Sequence, residues 1–387
     1  MSSGRVRLAR NLEELERLRP LWETVEWERE DADLDYLVER VRVRPAAVGP
    51  FGALVVADGA VVAGAAGWVE SKPLPARIGY ARIHAPTLSV LQMANGGIVA
   101  TSPVAASELA LAAWGVLERG EAELLALPAM PVESPLFDAF ARLGGPLERQ
   151  RFVPTWMRRS LVLPATFDEF LATRSYETRR VIKKNANRLH RAFAATLRVE
   201  LLRLPSQHEQ LVRDLDRIGR LTYQRAVGTG FSNTPEERTL TALALERGWL
   251  RAWVLYDGDR PISYWLGSVY RGTLLLRATG YDDAYAAHRV GAYLLARLIE
   301  DACADPDISV VDFGPGRSEY KQHFTNESHA ERNLLVFAPT LRARRVSAVR
   351  TAVLAAAWIG RGSADALRVT NRVKRGWRRR LRRTVAS

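Results

Sequence analysis

The sequence predicts an α/β protein with two mixed-sheet halves, followed by a basic helical tail. Three observations carry this prediction. At 387 residues the chain is longer than single hydrophobic cores usually become, roughly 250–300 residues. One order of elements (hairpin, strand, helix, strand, helix, strand) occurs twice along it. The residues after position 340 differ in charge from all that precedes them.

The composition is that of a folded, water-soluble protein, with 47% hydrophobic and 26% charged residues. A single cysteine, Cys303, excludes an intrachain disulfide. None of the six histidines is paired at short spacing with Cys303, so we expect no dedicated metal site. The basic N-terminus lacks the apolar segment of a signal peptide, so we expect a cytoplasmic protein.

The net charge of +13 is confined to the tail. Residues 341–387 hold fourteen Lys and Arg against one acid, Asp365, which leaves 42 bases and 42 acids in residues 1–340. The uncharged stretch between Arg350 and Arg361 is shorter than the roughly 20 apolar residues that cross a bilayer. We expect a basic amphipathic tail that lies on an anionic membrane surface, packs on the body, contacts RNA, or stays solvated.

Each half begins with a hairpin pattern in which Asp-Gly separates two apolar strands, at residues 53–64 and 252–264. An amphipathic helix and a short apolar strand come later in each half. The helices are predicted over 104–118 and 288–302, and the strands over 122–127 and 308–313. A parallel strand reached through a helix, added to an antiparallel meander, makes a mixed sheet.

The boundary between the halves is predicted near residues 155–164, where a strand pattern ends. Thr166 is then a plausible N-cap for the helix that opens the second half. The predicted domains are therefore 1–160 and 161–340, with the tail at 341–387.

The first candidate site is the segment 280–295, where a polar, strand-ending stretch meets an apolar helix. Backbone N–H groups at a helix start have no intrahelical partner, and the helix dipole favours an anion there. Gly291 would let a phosphate approach the main chain. The residues predicted to bind it are His288, Arg289, Val290, Gly291 and Ala292. A glycine at a helix start is also common as a simple turn residue.

The second candidate site follows the strand that ends at Asp312. The chain turns through Gly314-Pro-Gly316, and the next helix carries Tyr320 and Lys321. Asp312 can orient or deprotonate an amine, Tyr320 can protonate a leaving group, and Lys321 can face a phosphate or oxyanion. The alternative is that Asp312 caps the turn and Lys321 is solvated.

The third candidate site is the Arg/Lys-rich helix 176–191. Its apolar residues recur at helical spacing and predict a buried stripe of Ile182, Ala186, Leu189 and Phe193. Another face carries the cations Arg180, Lys184, Arg188 and Arg191. This cationic ridge suits a pyrophosphate or a phosphate-rich acceptor, and a solvated helix face is the alternative. We assign Arg180 and Lys184 to substrate binding.

From about Phe167 to Phe337 the chain resembles the BioF2-like, CelD-type acyltransferases of the GNAT superfamily, relatives of the FemABX peptidyltransferases. The resemblance rests on the basic helix 176–191, Leu221-Thr-Tyr-Gln-Arg-Ala-Val-Gly-Thr-Gly-Phe231, the segment 280–295, Asp312-Phe-Gly-Pro-Gly316 and Tyr320-Lys321. The first half resembles the degenerate GNAT half of this family, because Gly96-Gly97 and the helix after it lack a basic phosphate-binding turn.

The resemblance implies a tandem GNAT fold with the donor phosphates at residues 288–292. It also implies transfer of an acyl group to an amine of a small-molecule, glycan or lipid-linked acceptor in cell-envelope or polysaccharide biosynthesis. Tyr223, Arg225, Gly314 and Gly316 join the substrate-binding residues. The amine would attack the donor directly, since no nucleophile signature of the Cys-His or Ser-His kind is visible.

The segment Arg289-Val-Gly-Ala292 is shorter than the full GNAT pattern. Two donor molecules are therefore compatible with it. We expect acyl-CoA as co-substrate, with no permanently bound cofactor; aminoacyl-tRNA is the alternative, and only then is nucleic acid a partner. A third alternative is a non-catalytic envelope or nucleic-acid-binding protein on a GNAT scaffold. The tail allows peripheral attachment to the inner face of the membrane.

Overall fold

The computed structural model describes residues 5–78, 81–222, 230–316 and 319–366. They form two compact units, each with its own hydrophobic core. Of the described residues, unit 1 contains those up to Trp156 together with residues 330–366. Unit 2 contains Met157–His329.

The strands of unit 1 lie in the order β1-β2-β3-β6-β7-β14. The β6–β7 pair is parallel and the other neighbours are antiparallel. The strands are β1 (Arg5–Ala9), β2 (Ala47–Ala57), β3 (Ala60–Pro73), β6 (Thr87–Ala100), β7 (Leu124–Pro131) and β14 (Glu327–Phe337), with β4 (Ala76–Ile78) and β5 (Ala81–His84) forming a separate pair. The helices are α1 (Leu12–Arg17), α2 (Arg19–Trp22), α3 (Leu34–Val43), α4 (Pro103–Glu118), α5 (Pro135–Ala141) and α12 (Leu341–Ala366).

The strands of unit 2 lie in the order β8-β13-β12-β11-β10-β9, and its β12–β13 pair is parallel. The strands are β8 (Thr155–Val162), β9 (Leu197–Leu202), β10 (Leu250–Asp257), β11 (Arg260–Tyr270), β12 (Thr273–Tyr281) and β13 (Val310–Pro315). The helices are α6 (Phe167–Ala172), α7 (Tyr176–Phe193), α8 (His208–Leu221), α9 (Pro235–Glu246), α10 (Val290–Ala304) and α11 (Glu319–Phe324). The predicted N-cap is confirmed, because the Thr166 side chain accepts from the backbone N–H of Glu169.

The predicted duplication is confirmed. Both units contain an antiparallel hairpin, a further strand, a helix, a parallel strand and a short helix in that order. In each unit the register of the parallel pair covers three residues, 90–92 with 124–126 and 273–275 with 310–312. The first strand of each parallel pair continues beyond the paired residues, β6 to Ala100 and β12 to Tyr281. A gap therefore opens between the parallel strands toward their carboxyl ends.

The structure revises the predicted boundaries of 161–340 for the second domain and 341–387 for the tail. Strand β14 pairs with β7, so the chain from Ala330 belongs to unit 1. Strand β8 pairs with β13 and contributes to unit 2. Each unit thus includes a strand from the other side of the predicted boundary, which local sequence patterns cannot reveal.

Helix α12 begins inside unit 1, which agrees with the alternative that the tail packs on the body. Ala343 and Val346 belong to the core of that unit. The Arg350 guanidinium donates to the carbonyls of Leu74 and Pro75 at 3.1 and 2.7 Å, and its burial lowers its pKa. Residues 367–387 lie outside the described residues. Within the described chain, no helix combines the length and apolar content needed to cross a membrane.

Candidate functional site

The start of helix α10 lies beside the carboxyl end of β12. A cavity of about 280 Å³ opens there, lined by Trp265, Tyr281, Gly291 and Phe324 among others. Ligands of open α/β sheets bind at the carboxyl ends of the strands, and this cavity occupies that position in unit 2. Its walls are largely aromatic and apolar, as ligand pockets usually are.

The first turn of α10 has no side-chain cap. Arg289 occupies the N-cap in the left-handed conformation, with φ of 57°, and its side chain makes no capping hydrogen bond. A Cβ added at Gly291 would lie 3.7 Å from the Tyr281 ring, at ordinary contact distance. The Trp265 indole N–H donates to the Gly291 carbonyl at 3.2 Å. Among the described residues no side chain caps this turn, an arrangement that suits an anion, and the Ala292 N–H donates to the Arg289 carbonyl at 3.1 Å.

The predicted cationic ridge of α7 faces a second cavity, of about 850 Å³. This cationic groove is lined by Arg180, Lys183, Lys184, Asn187, Arg188, Arg191, Ala192 and His288. Arg188 donates to the Ala287 carbonyl at 3.0 Å, one residue before His288. The first and third candidate sites of the sequence therefore come together, because His288 lies beside the ridge while the next four residues line the smaller cavity.

The buried stripe of α7 sets this orientation. Leu189 is fully buried, and Ile182, Ala186 and Phe193 pack against the core of unit 2, as predicted. The His288 ring packs edge-on against Phe193, with 4.9 Å between ring centroids. Within the described residues its buried Nδ1 has no hydrogen-bond partner. The ridge is therefore held toward the start of α10 by apolar packing on its opposite side.

Asp312 is buried at the third position of β13, where the predicted strand was expected to end, and both of its oxygens accept hydrogen bonds. Oδ2 lies 2.6 Å from both Nε and Nη2 of Arg158, and Oδ1 accepts from the Gly314 N–H at 2.7 Å. Gly314 and Gly316 have φ of +67° and +128°, where side chains are rarely tolerated. Asp312 therefore holds both Arg158 and the backbone at Gly314, near the carboxyl end of β13.

Lys321 is directed at the same turn from helix α11. Its Nζ donates to the carbonyls of Phe313, Gly314 and Pro315 at 2.6, 3.2 and 2.8 Å. Only 7% of the residue is exposed, and burial lowers the pKa of the ammonium to about 8. Lys321 was expected either to be solvated or to face a phosphate or oxyanion. The structure shows neither arrangement, because the side chain is buried and its ammonium faces backbone carbonyls. Its three donors are already used by the turn 313–315.

Three predicted site residues cannot be placed. Tyr223 and Arg225 lie outside the described residues. The backbone of Tyr320 is helical, in α11, but its side chain lies outside them as well. Their predicted roles stay predictions. Arg158 was not among the predicted site residues, and it reaches Asp312 because β8 pairs with β13. An arginine in a partly exposed strand pattern gives no local signal of such a contact.

Comparisons with known proteins identify the fold. Residues 177–322 match the family model described as an acetyltransferase (GNAT) domain. The structure of FemX superposes with a TM-score of 0.55 at 10% identity, covering 85% of this chain and 98% of FemX. No curated protein matches the sequence.

Two further structures are similar at lower scores. A tandem GNAT protein from the clavulanic acid biosynthesis pathway has a TM-score of 0.49 at 12% identity, covering 87% of this chain and 99% of its own. The C-terminal domain (DUF2156) of a putative lysylphosphatidylglycerol synthetase from Agrobacterium fabrum has a TM-score of 0.47 at 11% identity, covering 88% and 96%. The chain has a tandem GNAT-like α/β fold, and the family match falls on unit 2.

Proposed function

We propose that the protein is an N-acyltransferase that moves an acyl group from acyl-CoA to an amine. One observation carries the proposal. The uncapped start of α10 lies beside the gap between β12 and β13, with the cationic groove of α7 next to it. The match of residues 177–322 to the acetyltransferase (GNAT) domain supports the same reaction class.

The two cavities suit the two ends of an acyl-CoA molecule. Its phosphates would accept hydrogen bonds from the first-turn N–H groups of α10, near Gly291, and would be attracted by Arg180, Lys184 and the other cations of the groove. Its acyl-thioester arm would enter the smaller cavity beside Trp265 and Tyr281. At about 280 Å³ this cavity suits a short acyl chain.

In the proposed reaction the acceptor amine attacks the thioester carbonyl. The C–N bond forms, the C–S bond breaks, and the amine loses a proton to water or to a nearby base. Tyr320 is proposed to protonate the departing thiolate. Arg158, Asp312 and Lys321 are positioning residues, because together they hold the turn that ends β13.

An acceptor in cell-envelope or polysaccharide biosynthesis, of the BioF2-like type, is proposed from the sequence resemblance alone. The alternative donor is aminoacyl-tRNA, whose phosphates would also suit the cationic groove. Binding of tRNA would then weaken steeply as salt is added, because each phosphate contact releases counterions.

Thermal unfolding of the full-length chain tests the donor. Acetyl-CoA should raise the midpoint, because a ligand that binds only the folded state stabilises it in proportion to RT ln(1 + [L]/Kd). Pantetheine, which lacks the nucleotide phosphates, should raise it much less. Stabilisation by charged tRNA but not by acetyl-CoA would establish the alternative donor. If neither ligand shifts the midpoint, the proposed reaction is wrong.

A further inference from the structure

We propose that the acceptor carries a phosphate group, held by an arginine-lined cavity in unit 2; this inference deepens the proposed function and rests on it. The arginine cavity has a volume of about 800 Å³. Its lining includes Arg213, Arg217 and Arg220 of α8, Arg238 of α9 and Arg260 of β11.

The arginine cavity differs from an ordinary solvated helix face because three separate elements build it. Arg213, Arg217 and Arg220 recur at i, i+4 and i+7, which places them on one face of α8. Arg238 and Arg260 reach the same space from α9 and from the start of β11. Guanidinium groups that converge from several sides can bind one phosphate together.

Two buried carboxylates each hold one of these arginines in place. Asp216, which is 5% exposed, accepts from Nε and Nη2 of Arg220 at 2.8 and 2.7 Å. Asp282, also 5% exposed, accepts from Arg260 at 2.6 Å and from the Ala284 N–H at 3.0 Å. A guanidinium has five N–H donors, so each of these arginines keeps donors for a ligand.

The charge balance of the arginine cavity favours an anion. The lining holds five arginines and the acids Glu209 and Asp216, and two further carboxylates pair with lining arginines, Asp214 with Arg213 and Asp282 with Arg260. Glu209 pairs with Arg238. Arg217 is exposed, and among the residues that the structure describes it forms no ion pair. Five arginines against these four carboxylates leave a formal excess of one positive charge, and charge-assisted hydrogen bonds from several guanidinium groups suit a phosphate oxygen.

The arginine cavity and the proposed donor site lie near the same end of β12, the carboxyl end, but on opposite faces of the sheet. Gly280 faces Ile218 of α8 and the adjacent Thr222, whereas Tyr281 faces Gly291 at the start of α10. Consecutive strand residues point to opposite faces, so α8 and α10 cover opposite sides of β12. Asp282, which holds Arg260, follows directly. A phosphate held here would bring an attached amine toward the thioester from the face opposite the donor.

Arginine labelling tests binding without any assumption about the reaction. Phenylglyoxal would be applied to the full-length chain with and without inorganic pyrophosphate, in the presence of CoA, and the modified peptides read by mass spectrometry. Pyrophosphate should protect Arg217 and Arg220 at least roughly fivefold. Exposed Arg203, outside the lining of this cavity, is the control and should label equally in both samples. Equal labelling of Arg217 with and without pyrophosphate would overturn the proposal.

Acetyl transfer to a matched pair of amines, glucosamine 6-phosphate and glucosamine, tests the role in catalysis. Arg217→Gln should raise KM for the phosphorylated amine roughly fivefold, and Arg217→Glu more, with glucosamine unaffected. Arg203→Gln should change neither amine. An equal change for both amines overturns the phosphate site. Protection of Arg217 without transfer to either amine counts against the proposed function and leaves the binding site standing.

Discussion

The two units share a topology but differ at the start of the helix that follows the gap. In unit 1 the Ser102 side chain caps α4, Pro103 occupies the first helical position, and Val104 the second. In unit 2 the N-cap of α10 is left-handed Arg289 without a capping hydrogen bond, and the second helical position is Gly291. Unit 1 satisfies its first turn with its own residues. Unit 2 has no such side-chain cap among its described residues.

The gap itself shows the same contrast. The third pair of the parallel register is Gln92 with Ala126 in unit 1, and Leu275 with Asp312 in unit 2. Asp312 anchors a glycine turn, whereas Ala126 has no group to do so. The sheet topology alone therefore does not make a binding site. The units differ at a few residues at the helix start and in the parallel strand, and on the proposed function this difference places the donor site in unit 2.

The largest effect should come from deleting residues 341–387, which tests whether unit 1 needs α12. We expect unit 1 to lose about 3–5 kcal/mol, because Ala343 and Val346 leave its core and the buried Glu148 loses its ion pair with Arg344. Denaturant unfolding measures this loss. Deleting only residues 367–387 is the control and should leave stability nearly unchanged. Equal stability of the two truncated chains would contradict the assignment of α12 to unit 1.

The contacts of α12 and β14 also show which features of the fold local sequence patterns can predict. The repeated order of elements, the Thr166 cap and the buried stripe of α7 depend on local patterns, and all three were predictable. The pairing of β14 with β7 was not. The Arg158–Asp312 contact joins residues 154 positions apart, across strands whose neighbours only the folded sheet defines. The direction of Lys321 depends on the carbonyls of a turn, which carry no sequence signal.

The next largest effect should come from Tyr320→Phe. The first turn of α5 in unit 1 has Leu136 and Phe137, where α11 of unit 2 has Tyr320 and Lys321. If the Tyr320 hydroxyl protonates the leaving thiolate, its loss should lower kcat roughly 100-fold with little change in donor affinity. Steady-state kinetics measure the change in kcat, and a separate CoA titration measures the donor affinity. Turnover at the parental rate would exclude the acid role.

Gly291→Val would make the second position of α10 match that of α4. The branched side chain should hinder approach to the first-turn N–H groups and weaken CoA binding roughly thirtyfold, measured by calorimetry. Gly291→Ala should weaken CoA binding less than Gly291→Val, because a single Cβ at this position makes only ordinary van der Waals contacts. The reciprocal Val104→Gly in unit 1 should leave CoA affinity unchanged. Unchanged affinity in Gly291→Val would remove the donor site from α10.

The smallest effect concerns the pH dependence contributed by Lys321. Its folded-state pKa of about 8 lies below the 10.5 of an unfolded lysine, because burial disfavours the charge. Below pH 8 both states are protonated, and the folded state bears the full cost of the buried charge. Between pH 8 and 10.5 the unfolded state binds more protons, so the free energy of unfolding should rise with pH across that window.

Lys321→Met isolates this contribution, because it removes the titrating group. We expect the stability of the parent relative to the variant to stay constant below about pH 7 and to increase between pH 8 and 10.5. Urea unfolding at a series of pH values measures the difference, and Lys183→Met, at an exposed position on α7, is the control. A difference that stays flat up to pH 10.5 would mean that the three carbonyls of the turn keep the ammonium charged. Lys321 would then remain a cation across this pH range and stabilise residues 313–315 through its hydrogen bonds to their carbonyls. In unit 1, Ala126 stands where unit 2 has Asp312, so its side chain cannot anchor a glycine turn of this kind there.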